Sequence, residues 1–424
     1  MVIRSPAKIE PVMSQDTPNY PKDYRDDFPV LRTQMNGKPL AFLDTGASAQ
    51  KPQSVIDAMN NVMAGGYSNI HRGLYRISQD LTARFEAVRT QTARFMGAKS
   101  ENEIIFTRNS TEAINLVAQS WGRTHLKAGD EVILTEMEHH ANIVPWQLLA
   151  EQIGVVIKVV PVLDNATLDY DACEKLLSTR TKFIGMVHIS NATGVHNNVS
   201  KIIALAREFN PDIKVLVDGS QSIVHTAINV QELDADFFVF TGHKLYGPTG
   251  IGVLYGKYDV LESMTPYQGG GDMIDHVSFD GTTFKPPPFR FEAGTPPITE
   301  VIGLGAAIDY VERVGFDYIQ SHEAALLAYG TEKLLEIEGL TLYGNVPDKA
   351  GIMTFTIDGV HASDVAMILD QCGVAVRTGH HCAMPLMQRF GVDATIRASL
   401  GLYSNQGDID QLISALHKAK DMLA

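Results

Sequence analysis

The sequence predicts an α/β fold: a mostly parallel mixed sheet with helices on both faces, plus a smaller α+β C-terminal domain. Three observations predict it. From about residue 100, apolar runs alternate with segments of helical spacing, the mark of successive βαβ units. Runs such as Phe237-Phe238-Val239-Phe240 are apolar at every position, as strands covered on both faces require. Beyond about residue 300 the alternation stops, and two long helical segments lead into shorter strands and helices.

The elements follow in chain order. Residues 103–107 form a short β-rich run, and 111–121 have helical spacing. Residues 131–135 are a strand and 142–153 a helix. Residues 155–162 are extended, 169–177 helical, 183–189 a strand and 201–209 a helix. Apolar strands follow at 214–217, 237–240 and 252–255. Gly269-Gly270-Gly271 and Pro286-Pro287-Pro288 punctuate a long irregular stretch, which suits a functional loop or an interface. Helical spacing resumes over 301–314 and 318–337. A strand at 351–357, a helix at 362–371, an extended run at 396–402 and an amphipathic helix at 408–423 complete the chain.

A chain of 424 residues is too long for one ordinary core. The expected division is a flexible extension over 1–22, a large domain over 23–300 and a small one over 301–424. The first residues of the large domain are expected to be free to pack on the small one. A net charge of −14 argues against nucleic acid as the main partner. No apolar run approaches the ~20 residues of a membrane span, and the N-terminus lacks the apolar core of a signal peptide. Three cysteines, Cys173, Cys372 and Cys382, fit a reducing compartment rather than a disulfide scaffold. A cytoplasmic location is expected.

Several segments carry chemistry. Asn109-Ser110-Thr111-Glu112 follows a strand and opens a helix. Its spacing is that of a capping box, and its hydroxyls and helix-start N–H groups also suit a phosphate. Glu138-His139-His140-Ala141-Asn142 follows the second strand. Its histidines read equally as loop polarity or as a ring to stack on a flat ligand. Asp218 ends a buried strand, where a carboxylate needs a cation or hydrogen bonds; a helix cap is the plain alternative. Lys244, in Thr241-Gly242-His243-Lys244, also follows a buried strand. Alone it reads best as a surface lysine. With Asp218 in the same position on a neighbouring run, the two can address opposite ends of a pyridine ring. In Arg377-Thr378-Gly379-His380-His381-Cys382, the arginine and histidines suit a reactive thiolate. The rival reading is zinc held by His380, His381 and Cys382, without any spaced partner motif to support it. Arg397 is a strand-edge arginine or a fork for a substrate carboxylate.

Taken in order, these strings resemble a pyridoxal 5′-phosphate (PLP) enzyme of fold type I, in the class V aminotransferase superfamily. More narrowly they resemble the group II cysteine desulfurases (SufS type), which overlap with selenocysteine lyases. The resemblance runs from about residue 24 to the C-terminus. It rests also on Asn69-Ile70-His71-Arg72-Gly73, Val217-Asp218-Gly219-Ser220-Gln221 and Phe291-Glu292-Ala293-Gly294-Thr295. It implies that Lys244 carries PLP as a Schiff base and moves protons. It implies Asp218 at the pyridine nitrogen, Gln221 at the ring hydroxyl and His139 stacked on the ring. Ser110, Thr111, Thr241 and His243 are implied at the phosphate, with Thr295 supplied by a second subunit of a homodimer. Asn191 and Arg397 are implied at the substrate carboxylate, with His71 and Arg377 near the substrate, and Cys382 as the nucleophile.

The implied reaction turns L-cysteine into L-alanine. It leaves a persulfide on Cys382 for an acceptor protein of an iron–sulfur assembly system; no metal, nucleic acid or membrane is implied. The alternatives are a selenocysteine lyase and a non-catalytic scaffold that binds a sulfur acceptor. The departures are mild: Thr241 stands where the family often has serine, and Ala192-Thr193 where it often has bulkier apolar residues.

Overall fold

The computed structural model describes residues 23–423, so the expected extension over 1–22 lies outside the described residues. The large sheet contains β1 (Ile104–Thr107), β2 (Glu131–Thr135), β3 (Val156–Val160), β4 (Thr181–Val187), β5 (Lys214–Asp218), β6 (Phe237–Thr241) and β7 (Gly252–Gly256). Their spatial order is β1-β7-β6-β5-β4-β2-β3. β7 pairs antiparallel with both β6 and β1, while the other neighbours pair parallel. Six strands therefore run one way, and their carboxyl ends share one edge of the sheet.

The apolar runs are buried on both faces because successive side chains point to opposite sides. In β6, Phe238 and Phe240 join one core cluster and Phe237 and Val239 the other. In β5, Val215 and Val217 face the first cluster and Leu216 the second. Each such phenylalanine, fully buried, contributes about 2–3 kcal/mol. The helix Ile298–Val314 packs on one face with helices Gln53–Gly65 and Arg76–Met96.

A second sheet contains β8 (Leu340–Tyr343), β9 (Ile352–Ile357), β10 (Arg377–Gly379) and β11 (Thr395–Ser399), in the antiparallel order β8-β9-β11-β10. Helices Phe316–Leu335, Ala362–Gln371 and Gln406–Leu423 cover it, around a third core cluster. The early segment Ala41–Phe42 pairs parallel with Val374–Ala375, and Asp44 bridges to Ser399. Arg25 adds hydrogen bonds to the Tyr403 carbonyl and Asp408. The beginning of the described chain is thus sewn to the C-terminal part of the chain, and through Asp44 to the second sheet itself.

Three segments differ from expectation. The helix expected over 111–121 is Ser110–Leu116, continued by a wider turn at Val117–Gly122 where Ser120 donates to the Thr265 carbonyl. The extended run expected over 396–402 stops at Ser399, because Gly401 and Ser404 close a turn on one another. The irregular stretch holds an exposed hairpin, Ile274–Ser278 with Gly281–Phe284.

Candidate active site

The shared edge of the large sheet gathers residues that are scattered in sequence. Ser110 follows β1, His139 follows β2, Asn191 lies beyond β4, Asp218 ends β5 and Lys244 follows β6. These five, with Gln221 and Ser220, line one narrow cavity. A roomier cavity of about 640 Å³ lies elsewhere, against Tyr170, His196, Lys201 and Asp348. It holds none of the expected residues, whereas the narrow one collects buried polar groups of both charges.

Lys244 is held by a tight turn. Leu245 N–H and Gly247 N–H both donate to the Gly242 carbonyl. Ala49 N–H and the Lys51 ammonium donate to the His243 carbonyl, tying residues 49–51 to that turn. Burial pulls the Lys244 amine down to about 8, against the opposing pull of Asp218. Asp218 is itself buried, and one oxygen accepts Ser220 N–H at 2.9 Å. Gly219 lies between them because a Cβ there would stand 1.9 Å from the Phe238 ring. His139 is drawn down to about 4, first by burial and then by the Lys244 charge, so it is a neutral imidazole at neutral pH. Its Nδ1 accepts Ala141 N–H, leaving the ring fixed at the head of a helical turn. Beside it Glu138 is fully buried and accepts from Thr135, Asn142 and Val187 N–H; burial pushes it up to about 8.

Ser220 Oγ, Thr241 Oγ1 and His243 Nδ1 are buried without a hydrogen-bond partner. Buried polar groups are nearly always satisfied, so three orphans at the ends of adjacent strands suit a polar ligand such as a phosphate. His243 is pulled down to about 4 by burial and Lys244. Thr111 is exposed on the helix start, while Asn109 and Glu112 form the capping interactions: Asn109 Oδ1 accepts Glu112 N–H, and Glu112 accepts Arg108 N–H. Gln221 Nε2 donates to the Gly46 carbonyl at 2.7 Å.

The second sheet supplies the other wall. Arg377 and Arg397 are directly opposite one another on β10 and β11. Like charges in that position repel, and Asp44 sits between them. Arg377 grips both Asp44 oxygens at 3.1–3.2 Å, and Arg397 Nη2 reaches Oδ1 at 3.2 Å. Arg397 Nη1 donates to the Asn191 carbonyl, but its buried Nε has no partner. Asn191 Nδ2 in turn donates to the His381 carbonyl, and its Oδ1 is unpartnered. An unused guanidinium N–H beside an unused amide oxygen suits a small zwitterion.

Cys382 is exposed on the loop that follows β10. Gly379, His381 and Cys382 have φ of 110°, 51° and 57°. Two non-glycine residues in the left-handed region are strained, which is where functional loops store conformational energy. His381 is buried instead, with Nε2 against Thr395 Oγ1 at 2.8 Å. Asn191, which lines the Lys244 cavity, donates to the His381 carbonyl of this loop and accepts from Arg397, so the loop and the lysine turn border one space.

His71 and Thr295 do not line this cavity. His71 bonds Glu86 and packs edge-on to Phe85 and Phe289. Thr295 lines a separate cleft with Arg108 and Glu112. Two residues were not picked out as site candidates from sequence. Ser220 lies inside a quoted motif but has no assigned role there. Asp44 ends a short apolar run, the same signal that marks Asp218.

Comparison with known proteins adds to this geometry. The family model described as Aminotransferase class-V matches residues 41–412. A cysteine desulfurase of Dickeya dadantii (strain 3937) is 49% identical over 413 residues, covering 97% of this chain and all of that protein. The crystal structure of the cysteine desulfurase CsdA (S-sulfonic acid) from Escherichia coli superposes with a TM-score of 0.89 at 38% identity, over 95% of this chain and 99% of that one. The apo structure of a cysteine desulfurase from Thermococcus onnurineus NA1 also gives 0.89, at 37% identity, over 96% and 99%.

Proposed function

This chain belongs to the aminotransferase class-V family, and we propose that within it the protein is a PLP-dependent L-cysteine desulfurase of the group II, SufS-type branch. It converts L-cysteine to L-alanine and keeps the sulfur as a persulfide on Cys382. The observation that carries this reading is the convergence of Lys244 and Asp218 in one cavity whose Asn191 bonds both Arg397 and the Cys382 loop.

The residues at hand fit PLP. Lys244 would hold the aldehyde, Asp218 would keep the pyridine nitrogen protonated, and His139 would stack on the ring. Gln221 would bond the ring hydroxyl. Ser110, Thr111, Ser220, Thr241 and His243 would hold the phosphate, and the three orphaned polar atoms among them support this. When bound, PLP supplies an electron sink for the bonds at the substrate's Cα and Cβ. Arg397 takes the substrate carboxylate with its free Nε, beside Asn191. Asp44 keeps that guanidinium in place, and Arg377 holds Asp44 from the other side. Lys244 would also move the proton at Cα.

The Cys382 thiolate attacks the substrate sulfur. A sulfur–sulfur bond forms and the substrate carbon–sulfur bond breaks. The electron pair leaves with the carbon skeleton, and a proton added at that carbon completes the methyl group of alanine. The balance is L-cysteine plus enzyme thiol to L-alanine plus enzyme persulfide.

The persulfide then passes to an acceptor protein of an iron–sulfur assembly system. Thr295 and His71 stand apart from the cavity of their own chain, which supports a homodimer in which a second copy supplies Thr295. The test is Cys382→Ser with two substrates. Alanine formation from L-cysteine falls at least ~100-fold, the scale of losing a reacting group, while activity on L-selenocysteine persists in part. Full retention on both substrates sinks the persulfide step. A wild type active only on selenocysteine identifies the lyase instead.

A further inference from the structure

His140, His380 and Cys382 meet outside the Lys244 cavity. One ligand atom from each lies within 4.8 Å of the other two, and theirs is the one such cluster found among the described residues. The set differs from the one adjacent in sequence. His381 turns inward to Thr395, and His140 arrives from the large sheet to take its place. The arrangement is built by backbone contacts. His140 N–H donates to the Cys382 carbonyl at 2.7 Å, Met384 N–H donates to His140 Nε2, and Cys382 N–H donates to His380 Nδ1, both at 3.0 Å. The two imidazoles lie 5.4 Å apart at 35°.

We propose that His140, His380 and Cys382 form a three-ligand site for a thiophilic divalent cation of the zinc class, and that the bound ion withholds Cys382 from sulfur transfer. Two imidazoles and a thiolate are the ligand types such an ion selects, and three protein ligands leave a fourth position open. Ligand atoms around tetrahedral zinc lie about 3.5 Å apart, so the cluster closes by about 1 Å on binding. The strained, exposed Cys382 loop is the part able to move. Binding forms a metal–sulfur bond and releases the thiol proton to solvent. The backbone bonds to the two rings compete with the ion, but each is one neutral hydrogen bond, weak beside ligation to a thiolate. The open position takes water or another thiolate. The ion's departure, drawn off by a stronger thiol ligand, returns the nucleophile. The inhibitory half of this proposal rests on Cys382 as the sulfur-accepting residue; the binding half rests on geometry alone.

The test uses the PLP-loaded protein, freed of metal and dialysed against buffered Zn²⁺ without L-cysteine, which would itself bind the ion. One zinc per chain is expected by elemental mass spectrometry, with alkylation of Cys382 by iodoacetamide slowed tenfold or more. His140→Gln and His380→Gln each weaken binding at least tenfold. X-ray absorption of the wild-type zinc complex reads one sulfur and two imidazole nitrogens, which guards against variants that fold poorly. A zinc shell without sulfur, or stoichiometry untouched in both variants, overturns the site. If zinc binds as expected yet Cys382 is alkylated at the metal-free rate, the inhibitory half is overturned. Alanine formation that survives Cys382→Ser in metal-free enzyme instead overturns Cys382 as the sulfur acceptor and leaves the site standing.

Discussion

Arg397 does its work through shape as much as charge. It is buried, bridged to Asp44 on one side and to the Asn191 carbonyl on another, with Nε left over. Arg397→Lys keeps the charge and loses the fork, so kcat/KM for L-cysteine falls roughly 10–100-fold, mostly through KM. Steady-state kinetics check this; an unchanged KM removes Arg397 from the carboxylate. In the proposed role, Asp218→Ala would remove the charge that keeps the ring nitrogen protonated. Turnover falls by roughly 100-fold or more while PLP still attaches; near-normal turnover contradicts the assignment. Lys244 has an amine drawn below its usual value to about 8, and only the neutral amine attacks an aldehyde. The rate of covalent PLP loading onto stripped enzyme therefore rises about tenfold per pH unit below about pH 8 and flattens above it. A rate flat across that range contradicts the buried-amine account. Asp218 and Lys244 are legible together in sequence because ionisable groups following two apolar runs are conspicuous, whereas Arg397 closes no such run and is singled out by the resemblance. Asp44 closes the apolar run Leu40-Ala41-Phe42-Leu43 in the same way as Asp218, but the arginines that give it meaning lie on strands far along the chain.

Elements place these residues by simple rules. Parallel strands share an edge, so every loop after β1, β2, β4, β5 and β6 opens on one cavity, and alternation in the sequence is enough to foresee that. Gly219 marks where the arrangement is tightest. Gly219→Ala forces a methyl group into the Phe238 ring and costs about 1–3 kcal/mol. Thermal unfolding of the PLP-loaded variant measures it; an unchanged Tm shows that the ring moves freely. The helix Arg76–Met96 lies ahead of the region where alternation is read, although Leu81, Phe85, Val88, Thr92 and Met96 recur at helical spacing along its buried face. The hairpin within Ile274–Phe284 is hidden for a different reason. It is exposed on both faces, so no apolar alternation distinguishes it from a loop. Phe279 at its tip is fully exposed.

At the scale of the molecule, the chemistry belongs to the meeting of two sheets. The large sheet supplies Lys244, Asp218 and His139; the second supplies Arg377, Arg397 and the Cys382 loop. The segment through Asp44 ties them: Asp44 bridges to Ser399 of β11, while Ala41–Phe42 pairs with Val374–Ala375 and Arg25 bonds the Tyr403 carbonyl, both beside the second sheet. Fold class was readable from periodicity, but this meeting was not: β10 and β11 pair with one another, yet their arginines reach Asp44, 333 and 353 residues away in sequence, and no local pattern encodes that. No described helix is long and apolar enough to cross a membrane. The central claim is that sulfur moves from substrate to Cys382. It is tested most directly by incubating the PLP-loaded enzyme with L-cysteine, without an acceptor, and weighing the peptide that contains Cys382. A gain of one sulfur atom, removed by a reducing thiol and matched by alanine, is the predicted result. Alanine released with the peptide unmodified would contradict it.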